Sequence, residues 1–265
     1  MKRIWTFLMA AMLSASPSYA EVLRMAVTTS FYNSGLSGIL LPEIKSDTGL
    51  EVELVVVGTG QALRLGEAGD VDAILVHARA AEDAFLAAGF GSHRREIMYN
   101  DFVFIGPSAD PAGIGTADNA VQALQRIAQS NAVFVSRGDD SGTHKKEMSL
   151  WMAAGVAPSG AWYRAVGAGM GAALNVASGM NAYVLSDRAS WLNFGNKGGL
   201  ALLYAGDPAL FNQYAFIPVN PGRWPHVRYD LAMRLEAWLT SEKAEALINA
   251  YSLNGENLFT FNAVR

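Results

Sequence analysis

Apolar residues recur in short blocks along most of this chain, and a stretch with a helical repeat follows each block. Val22 to Thr28 (VLRMAVT), Glu51 to Val57 and Val71 to Val76 are dense in β-branched and other apolar residues and read as strands. A polar, turn-like run from Thr28 to Gly35 follows the first. Leu36, Ile39, Leu40 and Ile44 then recur at helical spacing. A short helix from Gln61 follows the second strand, after Gly58-Thr59-Gly60, and Ala80 to Ala88 forms a helix after the third. Alternating strand and helix predict a parallel sheet with helices on both faces.

Met98 to Ile105 is a fourth apolar block, and Gly106-Pro107-Ser108-Ala109-Asp110-Pro111 ends it with a dense turn signal. This marks a crossing into a second lobe, which repeats the alternation. A helix over Ala120 to Ala128 precedes a strand over Ala132 to Val135, and a further helix runs through Trp151. Trp162 to Val166 is extended, and a Gly167 to Gly171 loop leads into a helix near Leu174. Ala182 to Leu185 is a strand, and Asp187 caps a helix containing Trp191. Tyr214 to Val219 (YAFIPV), before Asn220-Pro221-Gly222, is the return crossing. Leu231, Leu235 and Trp238, then Ala244, Leu247 and Ile248, lie at core spacing in terminal helices expected to pack on the first lobe. The expected fold class is α/β with two lobes: lobe 1 from 21–105 plus 218–265, and lobe 2 from 106–217.

The first 20 residues stand outside this pattern. Lys2 and Arg3 precede an apolar run from Ile4 to Ala15 that is too short to span a bilayer, and Ser18-Tyr19-Ala20 is a cleavage pattern. Residues 1–20 are therefore expected to be a secretory signal peptide, giving an exported protein that is not membrane-anchored. Removing Lys2 and Arg3 from the 20 basic residues leaves 18 against 24 acidic ones, a formal charge of −6. An acidic chain is a poor fit to nucleic acid, but a small buried anion site is built locally and is unaffected. With no cysteine, there is neither a disulfide framework nor a lipidation site at the cleavage point. Export without either fits a bacterial periplasm.

Three strand-to-helix junctions carry hydroxyls: Thr29-Ser30, Gly58-Thr59-Gly60 and Ser141-Gly142-Thr143. In an open parallel sheet, ligands bind beyond the carboxyl ends of strands. There the free N–H groups and positive dipole end of the next helix favour an oxyanion. Any one such junction is more often an ordinary helix cap; three alike favour a shared site. Arg137 lies four residues before Ser141, where its guanidinium can give an oxyanion two parallel hydrogen bonds. Asp139 and Asp140 are read as carboxylates that orient Arg137, since direct contact with a dianion is repulsive. Lys145 and Lys146 read as a solvated helix face.

Asp140-Ser141-Gly142 also raises a serine nucleophile, which needs a base and an orienting acid. Of His77, His93, His144 and His226, none has a convincing context for that role, although an exported serine hydrolase using Ser141 stays open as the alternative of another class. No nucleotide-binding fingerprint or metal-ligand spacing is present.

Together, TTSFYNSGL (Thr28 to Leu36), Gly58-Thr59-Gly60, LVHAR (Leu75 to Arg79) and SRGDDSGTHKKE (Ser136 to Glu147) resemble the periplasmic tungstate-binding proteins of ABC importers. The likeness runs in order through most of the chain, with wider similarity to phosphate-binding proteins. The family's first junction often has three threonines before its serine; here the first of them is Val27. The resemblance implies a two-lobe periplasmic binding protein fold with two hinge strands, closing on a tetrahedral oxyanion in the interlobe cleft. It implies ligand contacts from Thr29, Ser30, Thr59, Arg137, Ser141, Gly142 and Thr143, with a contribution from the Gly169 to Gly171 loop. Which of Thr28, Thr29 and Ser30 points inward is left open. The implied ligand is tungstate or molybdate, with no cofactor, no cationic metal and no catalysis. The implied partners are an ABC permease and its ATPase, and the implied state is a monomer. Phosphate or sulfate binding is the alternative within the same class.

Overall fold

The computed structural model describes residues 21–264, so the expected signal peptide lies outside the described residues. In chain order the main elements are β1 (Glu21–Thr28), α1 (Thr29–Asn33), α2 (Leu36–Thr48), β2 (Leu50–Val57), α3 (Thr59–Ala68), β3 (Ala73–Val76) and α4 (Arg79–Ala87). Next come β4 (Arg95–Pro107), α5 (Ala120–Ser130), β5 (Phe134–Ser136), α6 (Gly142–Ala153), β6 (Tyr163–Ala165), α7 (Met170–Met180) and β7 (Tyr183–Asp187). The chain closes with α8 (Arg188–Asn193), β8 (Leu200–Tyr204), β9 (Phe211–Pro218), α9 (Tyr229–Leu239) and α10 (Glu242–Ala250).

The strands lie in the order β2-β1-β3-β9-β4-β7-β5-β6. The two ends of this path mirror each other. At one end, β1 pairs in parallel with β2 and β3; at the other, β5 pairs in parallel with β6 and β7. Between them run β4 and β9, which are antiparallel to each other and to the strands they adjoin. The sheet is parallel within each end, as the alternation predicts, and mixed as a whole because of the two crossing strands. A chain that leaves one lobe and returns must cross the middle twice in opposite directions, and that makes the two crossing strands antiparallel.

Each half of the sheet buries both faces. Leu23, Met25, Val27, Leu36 and Ile44 pack with Leu231, Leu235, Trp238 and Ile248, so the terminal helices cover the first lobe as expected. Ala26, Leu63, Ile74 and Phe85 form the opposite face of that lobe. In the second lobe the two faces are built around Phe102, Phe104, Phe134 and Trp151, and around Val103, Ile105, Val135 and Leu174. By this core membership the chain changes lobe between Met98 and Phe102, and returns between Leu210 and Tyr214. A long strand such as β4 carries residues of two cores, and its apolar run does not reveal where one core ends.

Candidate functional site

Several helices begin just after strands end. Thr28, the last residue of β1, is extended and accepts a hydrogen bond from Phe31 N at 3.3 Å, which caps α1. Ser141 caps α6 in the same manner, accepting from His144 N at 3.1 Å. Gly58 before α3 and Gly169 before α7 provide no side-chain cap. Their helix starts therefore keep amide donors free of side-chain competition.

The lobes meet at these starts. Gly60 N donates to the carbonyl of Asp140 at 3.2 Å, and Arg64 Nη1 donates to Asp140 Oδ2 at 3.1 Å. A Cβ on Gly60 would lie 1.5 Å from Asp140 Oδ2, and one on Gly142 would lie 2.5 Å from His77 Cε1. A larger residue at Gly142 meets the buried His77 ring, and one at Gly60 would have to displace the Asp140 carboxylate. Beside these two contacts stand Thr59 and Thr143, one from each lobe. Both are buried, and the Oγ1 of each has no hydrogen-bond partner. A buried hydroxyl left unsatisfied costs on the order of 1–3 kcal/mol, so two of them flanking an interlobe contact indicate a site made to donate to something else. A cleft of about 270 Å³ is lined by His77, Gly142, Asn212, Lys145 and Lys146 among others.

Arg137 follows β5 and is buried, 4% exposed. Its Nε and Nη2 donate to Asp139 Oδ2 at 3.2 and 2.7 Å, which leaves Nη1 outside that bond. Its carbonyl accepts from Gly167 N and Ala168 N at 2.8 and 3.2 Å, and this ties the loop before α7 to the arginine. Gly169 and Gly171 themselves are exposed.

Two readings of the SRGDDSGTHKKE run are corrected here. Asp139 orients Arg137, but Asp140 does not: it turns to Arg64 and Lys145, and the bond from Lys145 holds its carboxyl below the usual range. Ser141, expected from the resemblance to contact the ligand, here donates through Oγ to Asp139 Oδ1 at 2.5 Å. A hydroxyl has one hydrogen, so Ser141 serves as helix cap and brace for Asp139. Lys146 is not a solvated residue either: its Nζ reaches Ala209 O at 3.1 Å, and burial lowers its pKa.

At the first junction Thr28 and Ser30 are buried and Thr29 is half-buried. Ser30 Oγ lies 3.0 Å from His77 Nε2, 3.1 Å from Thr28 Oγ1 and 3.3 Å from Tyr214 Oη. Burial holds His77 neutral, with its pKa down to about 4, and pushes the Tyr214 phenol up. Asp187, at the start of α8, is also pushed up by burial, and its Oδ2 has no partner. His77 has a local signal, a histidine at a strand end. Tyr214 has none, because it reaches the site from a strand 184 residues beyond Ser30. Among the described residues no cluster of three His, Cys, Asp or Glu side chains is placed to hold a metal ion.

A family model described as a PBP superfamily domain matches residues 14–243. The tungstate-binding protein TupA of Peptoclostridium acidaminophilum is 45% identical over 245 residues, 91% of this chain and 86% of its own. The chain belongs to the tungstate-binding protein family of the PBP superfamily. The tungstate-binding protein TupA from Desulfovibrio alaskensis G20 superposes with a TM-score of 0.82 at 48% identity, over 92% of this chain and all of that one (100%). The tungstate ABC transporter structure from Geobacter sulfurreducens gives 0.81 at 49% identity, over 87% and 99%. The family resemblance and the two-lobe fold drawn from the sequence both stand on these matches.

Proposed function

We propose that this chain is a periplasmic solute-binding protein that captures tungstate and delivers it to an ABC importer. The observation that carries this reading is the pair of buried, unpartnered hydroxyls, Thr59 and Thr143, at the helix starts that meet between the lobes, with the buried guanidinium of Arg137 in the same run as Thr143. Hydroxyls, helix-start amides and a guanidinium are all donors, and a fully deprotonated tetrahedral oxyanion asks for donors alone. Hydrogen phosphate brings a proton of its own and needs an acceptor. The two carboxylates of the run are already engaged, Asp139 by Arg137 and Ser141, and Asp140 by Arg64 and Lys145. Within the run no carboxylate is left to accept from hydrogen phosphate, and on that ground the reading takes tungstate or molybdate over phosphate. The mechanism is lobe closure: an anion that bridges donors from both lobes stabilises the closed state. The ATP-driven permease, the periplasmic location and a monomeric state belong to the same proposal.

A hydrolase built on Ser141 finds no support in the hydrogen bonding. Its hydroxyl is held by Asp139, while His77 bonds Ser30, His93 bonds Glu236, His144 bonds Ser136 and His226 bonds Gly69 O. Titration calorimetry with tungstate, molybdate, sulfate and phosphate tests the main reading. Tungstate and molybdate should bind at or below micromolar concentration, with phosphate far weaker. No heat from micromolar tungstate would sink the proposal, and labelling of Ser141 by an active-site serine probe would favour the hydrolase.

A further inference from the structure

Ser30 can serve an anion only if its single hydroxyl hydrogen points at that anion, and its neighbours decide whether it does. Three side-chain atoms lie within 3.3 Å of Ser30 Oγ: Thr28 Oγ1, His77 Nε2 and Tyr214 Oη. Thr28 Oγ1 accepts from Phe31 N and keeps a second lone pair, so it and the anion are the two acceptors that compete for the Ser30 hydrogen. A serine hydroxyl has two lone pairs besides its hydrogen. If both lone pairs are filled by donors, the hydrogen is left to face outward. If a neighbour accepts instead, the hydrogen turns inward and the anion loses a contact.

Resting on the tungstate-binding reading, we propose that Tyr214 and His77 are positioning residues that donate to Ser30 Oγ and so aim its hydrogen at the anion. Tyr214 fits this role because its ring is fully buried and fixed, with centroids 4.7 Å from His77 and 5.8 Å from Phe259. Burial keeps its phenol protonated, so it has a hydrogen to give. His77 fits it because it is neutral and has one N–H to place. With that hydrogen on Nε2, His77 donates to Ser30 and leaves Nδ1, which is buried, as the acceptor. With the hydrogen on Nδ1, Nε2 would take the serine's hydrogen and disarm it. Tyr214 also stands on the crossing strand β9, so the element that joins the lobes sets the donor at the first junction.

The test is a double-mutant cycle read by calorimetry with tungstate, joined to nitrogen NMR of the His77 imidazole in the wild-type protein. Tyr214→Phe removes only the hydroxyl and keeps the packed ring, and its melting temperature should stay close to that of wild type. It should weaken tungstate binding about fivefold to tenfold, the scale of one hydrogen bond. In a Ser30→Ala background the same change should have no further effect. The imidazole spectra should show the hydrogen on Nε2 in the tungstate-bound protein. An additive cycle, an Nδ1–H tautomer, or a Ser30→Ala protein that binds as tightly as wild type overturns the positioning role while leaving tungstate binding intact. A wild-type protein that does not bind tungstate removes the functional reading itself, and this role with it. The NMR arm needs no variant, so a folding defect in Tyr214→Phe does not blunt the test.

Discussion

At the scale of single residues, the decisive question is which charges can reach a buried anion. Arg137 is buried and held by Asp139 with Nη1 outside the bond, whereas Lys145 is partly exposed and bonds Asp140. Removing the arginine takes away a charge-assisted donor from a desolvated anion, at a cost of about 2 kcal/mol or more. Removing the lysine takes away a partly exposed pair member worth roughly 1 kcal/mol at most. Arg137→Ala should thus weaken tungstate binding about thirtyfold or more, and Lys145→Ala only a few-fold, by calorimetry. Equal losses would contradict the roles assigned here. Arg137 was legible in the sequence as a candidate, because it stands just after a strand and before a Ser-Gly-Thr helix start, and the structure buries it there. The division of labour between Asp139 and Asp140 was not. Adjacent carboxylates look alike in one dimension, and only the backbone turn sends one to the arginine and the other across the cleft.

Among the elements, the same limit takes another form. The alternation of apolar blocks and helical repeats places nearly every strand and helix, since a burial pattern must be written into the residues that are buried. Strand direction is not written there, so the antiparallel crossing strands could not be read from periodicity. β8 (Leu200–Tyr204) was also missed; a five-residue apolar run after Gly198-Gly199 has too few positions to show a period. The start of α3 is where element geometry bears on binding. Gly60 gives its amide to Asp140 O, and the space for a Cβ is filled by the Asp140 carboxylate. Gly60→Ala should push Asp140 away and cost the closed state that hydrogen bond. If these contacts between the lobes hold the closed state, the loss should appear as faster tungstate release in stopped-flow measurements, with a smaller change in the association rate. Unchanged release would mean that the Gly60–Asp140 contact does not hold the lobes together.

For the whole molecule, the argument concerns differential affinity. A ligand shifts an equilibrium between open and closed lobes only as far as it binds one state better than the other. Donors from a single lobe are equally available in both states and cannot drive closure. Thr59 belongs to the first lobe and Thr143 to the second, and each keeps a buried hydroxyl without a partner. Val has nearly the shape of Thr but no hydroxyl, so Thr59→Val and Thr143→Val remove the donors at little cost in packing. Each also removes an unsatisfied buried group, and the ligand-free stability of each variant should be equal to or above that of wild type. Tungstate binding should nevertheless weaken about tenfold in each, the scale of a hydrogen bond to a charged group. In solution scattering, saturating tungstate should compact the wild-type protein. The double variant, at that same tungstate concentration, should stay nearer its ligand-free dimensions. If only one of the two threonines mattered, the anion would sit on one lobe and closure would need another cause; if both matter alike, the anion itself is the bridge between the lobes.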